Sequence, residues 1–332
     1  MRVLIIGGTG LISVGIVKHL LARGADITMF NRGKRENTLP DSISQITGDR
    51  NEFDLFERRF SHDHFDVVID MIAFSPQQAR SDVRAFGGRT THFIFCSTVC
   101  SYGVKIPSYA VVDEQFPQEP ISEYGKNKLL CEQIMLEAHQ GGAFKTTIIR
   151  PSHTYGEGSP LIDQLEPNPV SWDRMLKGKP VLIAGDGLGL WNSTHRDDVG
   201  KLFAYASLNP VAYGKSYNAT NQRIFTWRDY YREVAEVLGT DAKIISMPAD
   251  WIVNHDKKRF GLLDEITRFH GAYTSAAAMS DIPEFRCEID FKAGARRTLD
   301  DVRARDALRP DDDAYEKMVQ SALASGGTAV VA

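Results

Sequence analysis

The chain has 332 residues, 42% hydrophobic and 25% charged, an ordinary globular composition. Its 39 basic and 43 acidic residues leave a formal charge of -4, so no basic surplus points to nucleic acid and no long like-charge run points to a disordered tail. No stretch approaches the roughly 20 apolar residues that span a bilayer. The apolar run 3–6 is too short for a signal peptide. Cys96, Cys100, Cys131 and Cys287 form no C-x-x-C pair and have no partners at ligand spacing. The expectation is a cytoplasmic protein with reduced thiols, no metal and no membrane or nucleic-acid partner.

The first half alternates strand and helix signals. Residues 3–6 read as a buried strand, 11–23 carry apolar residues at helical spacing and stop at Gly24, and 27–30 read as a second strand. A short third strand is expected at 43–46, a helix at 53–60, and strong strands at 66–70 and 92–96. A helix over 123–139 and a strand over 146–150 follow. Such alternation predicts an α/β fold, a doubly wound parallel sheet covered on both faces. Ligand sites in these sheets lie at the carboxyl ends of the strands. After Pro151 the pattern loosens. Residues 156–169 read as a loop, with later strands at 181–184 and 216–219. We expect a nucleotide-binding domain over 1–155 and a smaller C-terminal substrate lobe over 156–332, interleaved so that 195–221 returns to the main sheet.

Gly7-Gly8-Thr9-Gly10 lies between the first strand and the first helix. Glycines permit a tight turn and let the backbone approach a pyrophosphate, while the helix N-terminus offers free N–H groups. Gly7, Thr9, Gly10, Leu11 and Ile12 are therefore candidate cofactor contacts. Ser13 occupies the place of a third glycine, so the helix is expected to shift slightly while the site survives. The second strand ends in Asn31-Arg32 rather than an acidic residue. No carboxylate there repels a 2′-phosphate, and Arg32 can pair with one. That leans towards NADP over NAD. Asp49 is a candidate adenine contact or a plain turn residue.

Tyr124-Gly-Lys-Asn-Lys128 opens a helix and places Tyr124 and Lys128 on one face, one turn apart. A free tyrosine, with a pKa of about 10, is a poor base at neutral pH. A neighbouring ammonium and a positive nicotinamide are expected to lower that pKa. Cys96-Ser97-Thr98 closes a strand ahead of Tyr102-Gly103. By that spacing Thr98 is taken as the hydroxyl facing the substrate, with Ser97 facing the core or capping a turn.

With these motifs the chain resembles an extended short-chain dehydrogenase/reductase of the NAD-dependent epimerase/dehydratase family. Further matching pieces are Asp66-Val-Val-Ile-Asp70, Arg150-Pro151-Ser-His-Thr-Tyr155-Gly156 and Gly185-Asp186-Gly187. Residues 294–298 fit the family's last helix. The resemblance covers about residues 1 to 200 and implies a Rossmann sheet, an NAD(P) cofactor, a homodimer and a small-molecule substrate held between two lobes. It implies Thr98, Tyr124 and Lys128 as the catalytic set, with Lys128 also holding the nicotinamide ribose. Pro151 and Ser152 would lie beside the nicotinamide. Ala73 and Phe74, ending the fourth strand, would touch the cofactor through backbone. His195 and Asp198 are expected to be structural.

Two departures narrow the chemistry. Val99 and Cys100 stand where the family's dehydratases and decarboxylases carry acids, so neither reaction is expected. Trp191 stands where nucleotide-sugar enzymes carry a diphosphate-binding arginine. A tryptophan stacks on rings but cannot pair with phosphate. What remains is epimerisation through a ketone or simple ketone/alcohol redox on a sugar or sugar nucleotide, or reduction of a non-sugar ketone. A non-catalytic RNA-associated protein on the same scaffold is the alternative from another class, because residues 30–34 resemble a segment of a plant chloroplast group.

Overall fold

A computed structural model describes residues 1–34, 40, 42–104 and 111–331. The first half runs β1 Arg2–Ile6, α1 Leu11–Ala22, β2 Asp26–Asn31, β3 Ser44–Thr47, α2 Phe53–Arg59, β4 Phe65–Asp70, α3 Pro76–Phe86, β5 Thr90–Cys96, α4 Glu123–Gln140 and β6 Lys145–Pro151. The second half runs β7 His153–Tyr155, α5 Ser171–Leu176, β8 Val181–Ala184, β9 Leu190–Trp191, β10 Ser193–His195, α6 Arg196–Ala206, β11 Ser216–Ala219, β12 Phe225–Thr226 and α7 Trp227–Leu238. It closes with β13 Lys243–Met247, α8 Ala249–His255, α9 Ala276–Asp281, α10 Phe291–Ala304, α11 Asp313–Ala324 and β14 Val330–Val331.

Seven strands form the main sheet in the order β11-β6-β5-β4-β1-β2-β3, every neighbouring pair parallel. The fold is the doubly wound α/β sheet. Alternation along β1 shows why both faces are covered. Val3 and Ile5 enter the core under α1 and α6, whereas Leu4 and Ile6 enter the opposite core with Phe56, Phe86 and Met135. Strand order reverses between β1 and β4, so the loops after these two strands diverge and open a crevice.

The α1–α6 contact requires close approach. A Cβ on Gly15 would lie 2.3 Å from the Arg196 carbonyl oxygen, and one on Gly200 would lie 2.2 Å from the Gly15 carbonyl carbon. The Ser13 hydroxyl donates to the Gly7 carbonyl at 2.9 Å and ties the helix to the turn. The third-glycine position therefore supplies a hydrogen bond here, and close packing is taken over by Gly15.

Beyond Pro151, β7 pairs with β10, β9 with β12, and β8, β13 and β14 form a small sheet. Aromatic residues fill this region: Trp172, Trp191, Trp227, Tyr230, Tyr231 and Phe291 pack into one core. β11 lies in the main sheet against β6. Helix α3 lies between two expected strands, and residues 294–298 lie in helix α10, with α11 following it. Among the described residues no helix is long and apolar enough to cross a membrane, and no group of His, Cys, Asp and Glu could hold a metal.

Gly15→Ala should cost about 1–3 kcal/mol of stability, the range for overpacking a tight contact. Urea unfolding measures it; an unchanged midpoint would contradict the close α1–α6 approach.

Candidate active site

A cleft of about 700 Å³ follows the carboxyl edge of the sheet, within the size range of small-molecule sites. Gly7, Thr9, Gly10, Leu11, Ile12, Asn31, Arg32, Asp49, Pro151 and Ser152 line it, together with Thr98, Tyr124 and Lys128. Ala73 does not line it. β4 ends at Asp70, and Ala73 lies fully buried in the loop beyond. Its carbonyl faces Lys128 instead. Met71, Ile72, Arg50, Asn51, Gln78 and Thr154 also reach the cleft, and no motif singled them out.

At one end, α1 begins without a side-chain cap and with no acidic residue in its first turn. Its first N–H groups and positive dipole end are thus available to an anion. A Cβ on Gly10 would meet protein atoms no closer than 3.6 Å. The protein makes no steric demand for glycine there, so the open space suits a ligand lying on the backbone. Beyond it, the Asn31 carbonyl oxygen Oδ1 accepts from Gly33 N–H at 2.8 Å. That fixes the amide, and its Nδ2 is buried without a partner at the cleft wall. A polyanionic dinucleotide with hydrogen-bond acceptors fits this end.

The loop after β4 is held from below. The Asp70 carboxylate accepts from Ile72 N–H at 2.6 Å and Ala73 N–H at 2.8 Å. Arg50 pairs with Asp70 and, at 3.0 Å, with Asp82. Burial and the nearby Asp70 carboxylate drive Asp82 well above the usual carboxylate range, against the pull of Arg50. Ser75 and Gln78 then form a capping box that starts α3.

At the other end stand Thr98, Tyr124 and Lys128. Lys128 is buried, and its Nζ donates to the Ala73 carbonyl at 2.9 Å and the Cys96 carbonyl at 2.7 Å. The Phe74 and Phe95 rings lie 4.6 and 4.8 Å from it, close enough for cation–π attraction. An ammonium has three donors, so one remains for the cleft. Burial holds Lys128 below its ordinary pKa, opposed by the Cys96 and Asp70 charges.

Ser122 caps α4 by accepting from Gly125 N–H at 3.1 Å. Gly125 allows the helix to sit on the turn after β5: a Cβ there would lie 2.5 Å from the Cys100 carbonyl oxygen. Tyr124 is thereby brought beside Thr98 and Cys100. Desolvation of the hydroxyl raises the phenol's pKa although the residue is 43% exposed overall, with Cys96 and Cys100 adding to the rise and Thr98 opposing it. The expected lowering needs the positive nicotinamide as well as the ammonium. The Lys128 ammonium lies 6.0 Å from the ring and is occupied by carbonyls, too far to offset desolvation. Thr98 Oγ1 accepts from Cys100 N–H at 3.1 Å, so its one proton is left for either the Tyr124 oxygen or a substrate oxygen. The Ser97 hydroxyl turns to Glu132 instead.

On the lobe side, Trp191 is buried and stacks on Trp227 at 4.7 Å between ring centroids, with His153 at 5.6 Å. Burial pushes His153 down to about 3, so it is neutral at physiological pH. A small cavity beside Cys100 and Ser122 is lined by Trp191, Phe269, Tyr273 and Glu265, with no Lys or Arg among its described lining. His195 accepts from Asp197 N–H at 3.2 Å, and Asp198 accepts from Glu288 and Ile289 N–H at 3.0 and 3.1 Å, all outside the cleft lining.

Residues 3–86 and 83–220 match the NAD dependent epimerase/dehydratase family, and the chain belongs to that family. It is an enzyme of the short-chain dehydrogenase type. It is 29% identical over 251 residues to 2′-dehydrokanamycin reductase of Streptomyces kanamyceticus, covering 76% of this chain and 70% of that protein. It is 25% identical over 276 residues to the chloroplast stem-loop binding protein of 41 kDa b of Arabidopsis thaliana, covering 78% and 67%. Among solved structures, the Thermus thermophilus UDP-glucose 4-epimerase complex with NAD superposes with a TM-score of 0.71 at 21% identity, over 91% of this chain and 99% of that one.

Gly10→Ala should leave thermal stability within about 0.5 kcal/mol of wild type and weaken dinucleotide binding by about tenfold or more. Cofactor fluorescence titration measures the second; unchanged affinity would place the pyrophosphate elsewhere.

Proposed function

We propose that the protein is an NAD(P)-dependent reductase/dehydrogenase acting on a ketone/hydroxyl pair of a sugar-like ring. The observation that carries this reading is the shared wall: Thr98, Tyr124 and Lys128 line the same cleft as the glycine turn and the uncapped N-terminus of α1. When bound, the nicotinamide dinucleotide donates or accepts hydride. The chain's residues do the rest. Thr98 donates its hydroxyl proton to the substrate oxygen and fixes its position. Tyr124 delivers the phenolic proton to that oxygen as the carbonyl is reduced, or removes it in the reverse direction. Lys128 holds a ribose hydroxyl with its remaining donor. Val99 and Cys100 supply no carboxylate next to Thr98, which weighs against expulsion of water or carbon dioxide.

The small cavity lined by Trp191, Phe269 and Tyr273 has no Lys or Arg among its described lining, which favours a substrate without a diphosphate. That argues for net redox of a free ring over epimerisation of a nucleotide sugar. The Asn31 amide donor and the exposed Arg32 support NADP. The family resemblance supports a homodimer, which sedimentation velocity would show. Similarity to a stem-loop binding protein supports an RNA reading, but the balanced charge and the assembled Tyr124–Lys128 pair weigh against it. RNA retention with a steep salt dependence would favour it.

The deciding experiment combines mass spectrometry of retained cofactor with NADPH consumption on a panel of ketosugars. NADPH consumed in step with alcohol formed supports the proposal. Retained NAD with sugar interconversion and no net consumption would overturn it in favour of an epimerase. Tyr124→Phe should keep cofactor affinity and lose about 10²–10⁴-fold in kcat; near-normal turnover would remove Tyr124 as proton donor. Because the phenol's pKa is raised, its proton-donating form persists through neutrality. Carbonyl reduction should be flat between about pH 6 and 8 and fall only in the alkaline range. Arg32→Ala should weaken NADPH by about tenfold and leave NADH nearly unchanged; equal effects on both would contradict a 2′-phosphate contact.

A further inference from the structure

Behind the catalytic wall lies a buried ion pair that the mechanism does not use. The Arg150 and Glu132 side chains are 4% and 1% exposed. Arg150 Nε donates to Glu132 Oε1 at 3.0 Å and Nη2 to Oε2 at 2.6 Å, a bidentate pair. Gln118 Nε2 donates to Glu132 Oε2 at 3.0 Å. Arg150 Nη1 donates to the Tyr102 hydroxyl at 2.8 Å, which donates to Asn218 Oδ1 at 2.8 Å. The Ser97 hydroxyl donates to Glu132 Oε1. Every buried hydrogen-bonding group of the carboxylate is thus engaged.

A buried pair is weak evidence of stability, because apolar replacements often serve as well, but it can set registry. Its placement here supports that use. Glu132 lies one helical turn beyond Lys128 on α4, Arg150 precedes Pro151 on β6, and Ser97 precedes Thr98 at the end of β5. Just beyond β5 the backbone at Thr98 is still extended, so successive side chains point to opposite sides: the Ser97 hydroxyl reaches Glu132, and Thr98 lines the cleft that Tyr124 also lines. The carboxylate therefore connects the helix carrying Tyr124 and Lys128 to the strand end carrying Thr98.

We propose that the Glu132–Arg150 pair, acting through the Ser97 hydroxyl, is the positioning device that sets the Thr98 hydroxyl against the Tyr124 phenol. Ser97, Glu132 and Arg150 are positioning residues, and the inference rests on the reading of Thr98 and Tyr124 given above. Ser97→Ala removes one donor and leaves the bidentate pair intact, so the fold is retained. The loosened Thr98 hydroxyl then favours the phenolate less.

The test follows Tyr124 ionisation by ¹⁹F NMR in protein labelled with 3-fluorotyrosine and saturated with NADP⁺, with Tyr124→Phe identifying the resonance. Ser97→Ala should raise the Tyr124 pKa by about 0.5 units or more, with NADP⁺ affinity within about twofold of wild type. Glu132→Gln should shift it in the same direction. If Ser97→Ala leaves the titration unmoved, or lowers cofactor affinity and melting temperature together without moving it, the network is scaffolding and the proposal fails. Thr98→Val separates the two readings. If it too leaves Tyr124 unmoved, the Thr98–Tyr124 pairing is wrong, whatever Ser97 does.

Discussion

The site is organised around one buried cation. An ammonium taken from water without partners costs several kcal/mol, so α4 must dock where Lys128 finds the Ala73 and Cys96 carbonyls and the faces of Phe74 and Phe95. Those two carbonyls belong to the loop after β4 and the end of β5. One side chain thereby ties the helix to two strands at the carboxyl edge of the sheet. Tyr124, one turn earlier, lines the cleft. Gly125 removes the Cβ that would hold α4 off the Cys100 carbonyl.

The same loop connects the two ends of the cleft. Asp70, clamped by Arg50, accepts the Ile72 and Ala73 N–H groups, and Ala73 presents its carbonyl to Lys128. A backbone segment of a few residues thus transmits order from the dinucleotide end to the reacting end. The charges differ along the way. One end offers N–H donors and Arg32, the middle holds buried ion pairs, and the lobe side is aromatic and neutral. The small cavity on that side is lined by rings and one carboxylate, Glu265, with no Lys or Arg among its described lining.

Features carried by local spacing were legible in the sequence. The glycine turn between strand and helix, the alternating runs of β1, β4 and β5, and the four-residue spacing of Tyr124 and Lys128 each state their geometry within a few residues. Features created by tertiary burial were not. Helix α3 begins Ser75-Pro-Gln-Gln78, a polar capping box, and only the short stripe Ala79, Val83 and Phe86 marks its apolar face. The raised phenol pKa depends on how much water surrounds Tyr124, which spacing alone does not reveal. The sequence marks Trp191 only as a ring in place of an arginine; its burial and stacking on Trp227 are set by the fold. Ser97, Glu132 and Arg150 come from three separate elements, and only the fold makes them neighbours. A serine beside Thr98 and a glutamate one turn past Lys128 are the signals that the sequence carries.

The account depends most on Lys128 spending two donors on the protein and one on the cofactor. Lys128→Met keeps the length of the side chain and removes the charge. Titration of the purified variant with NADPH, followed by fluorescence, should show affinity lower by about ten- to a hundredfold, with the far-ultraviolet circular dichroism of the wild type. Wild-type affinity in a folded Lys128→Met variant would contradict the account.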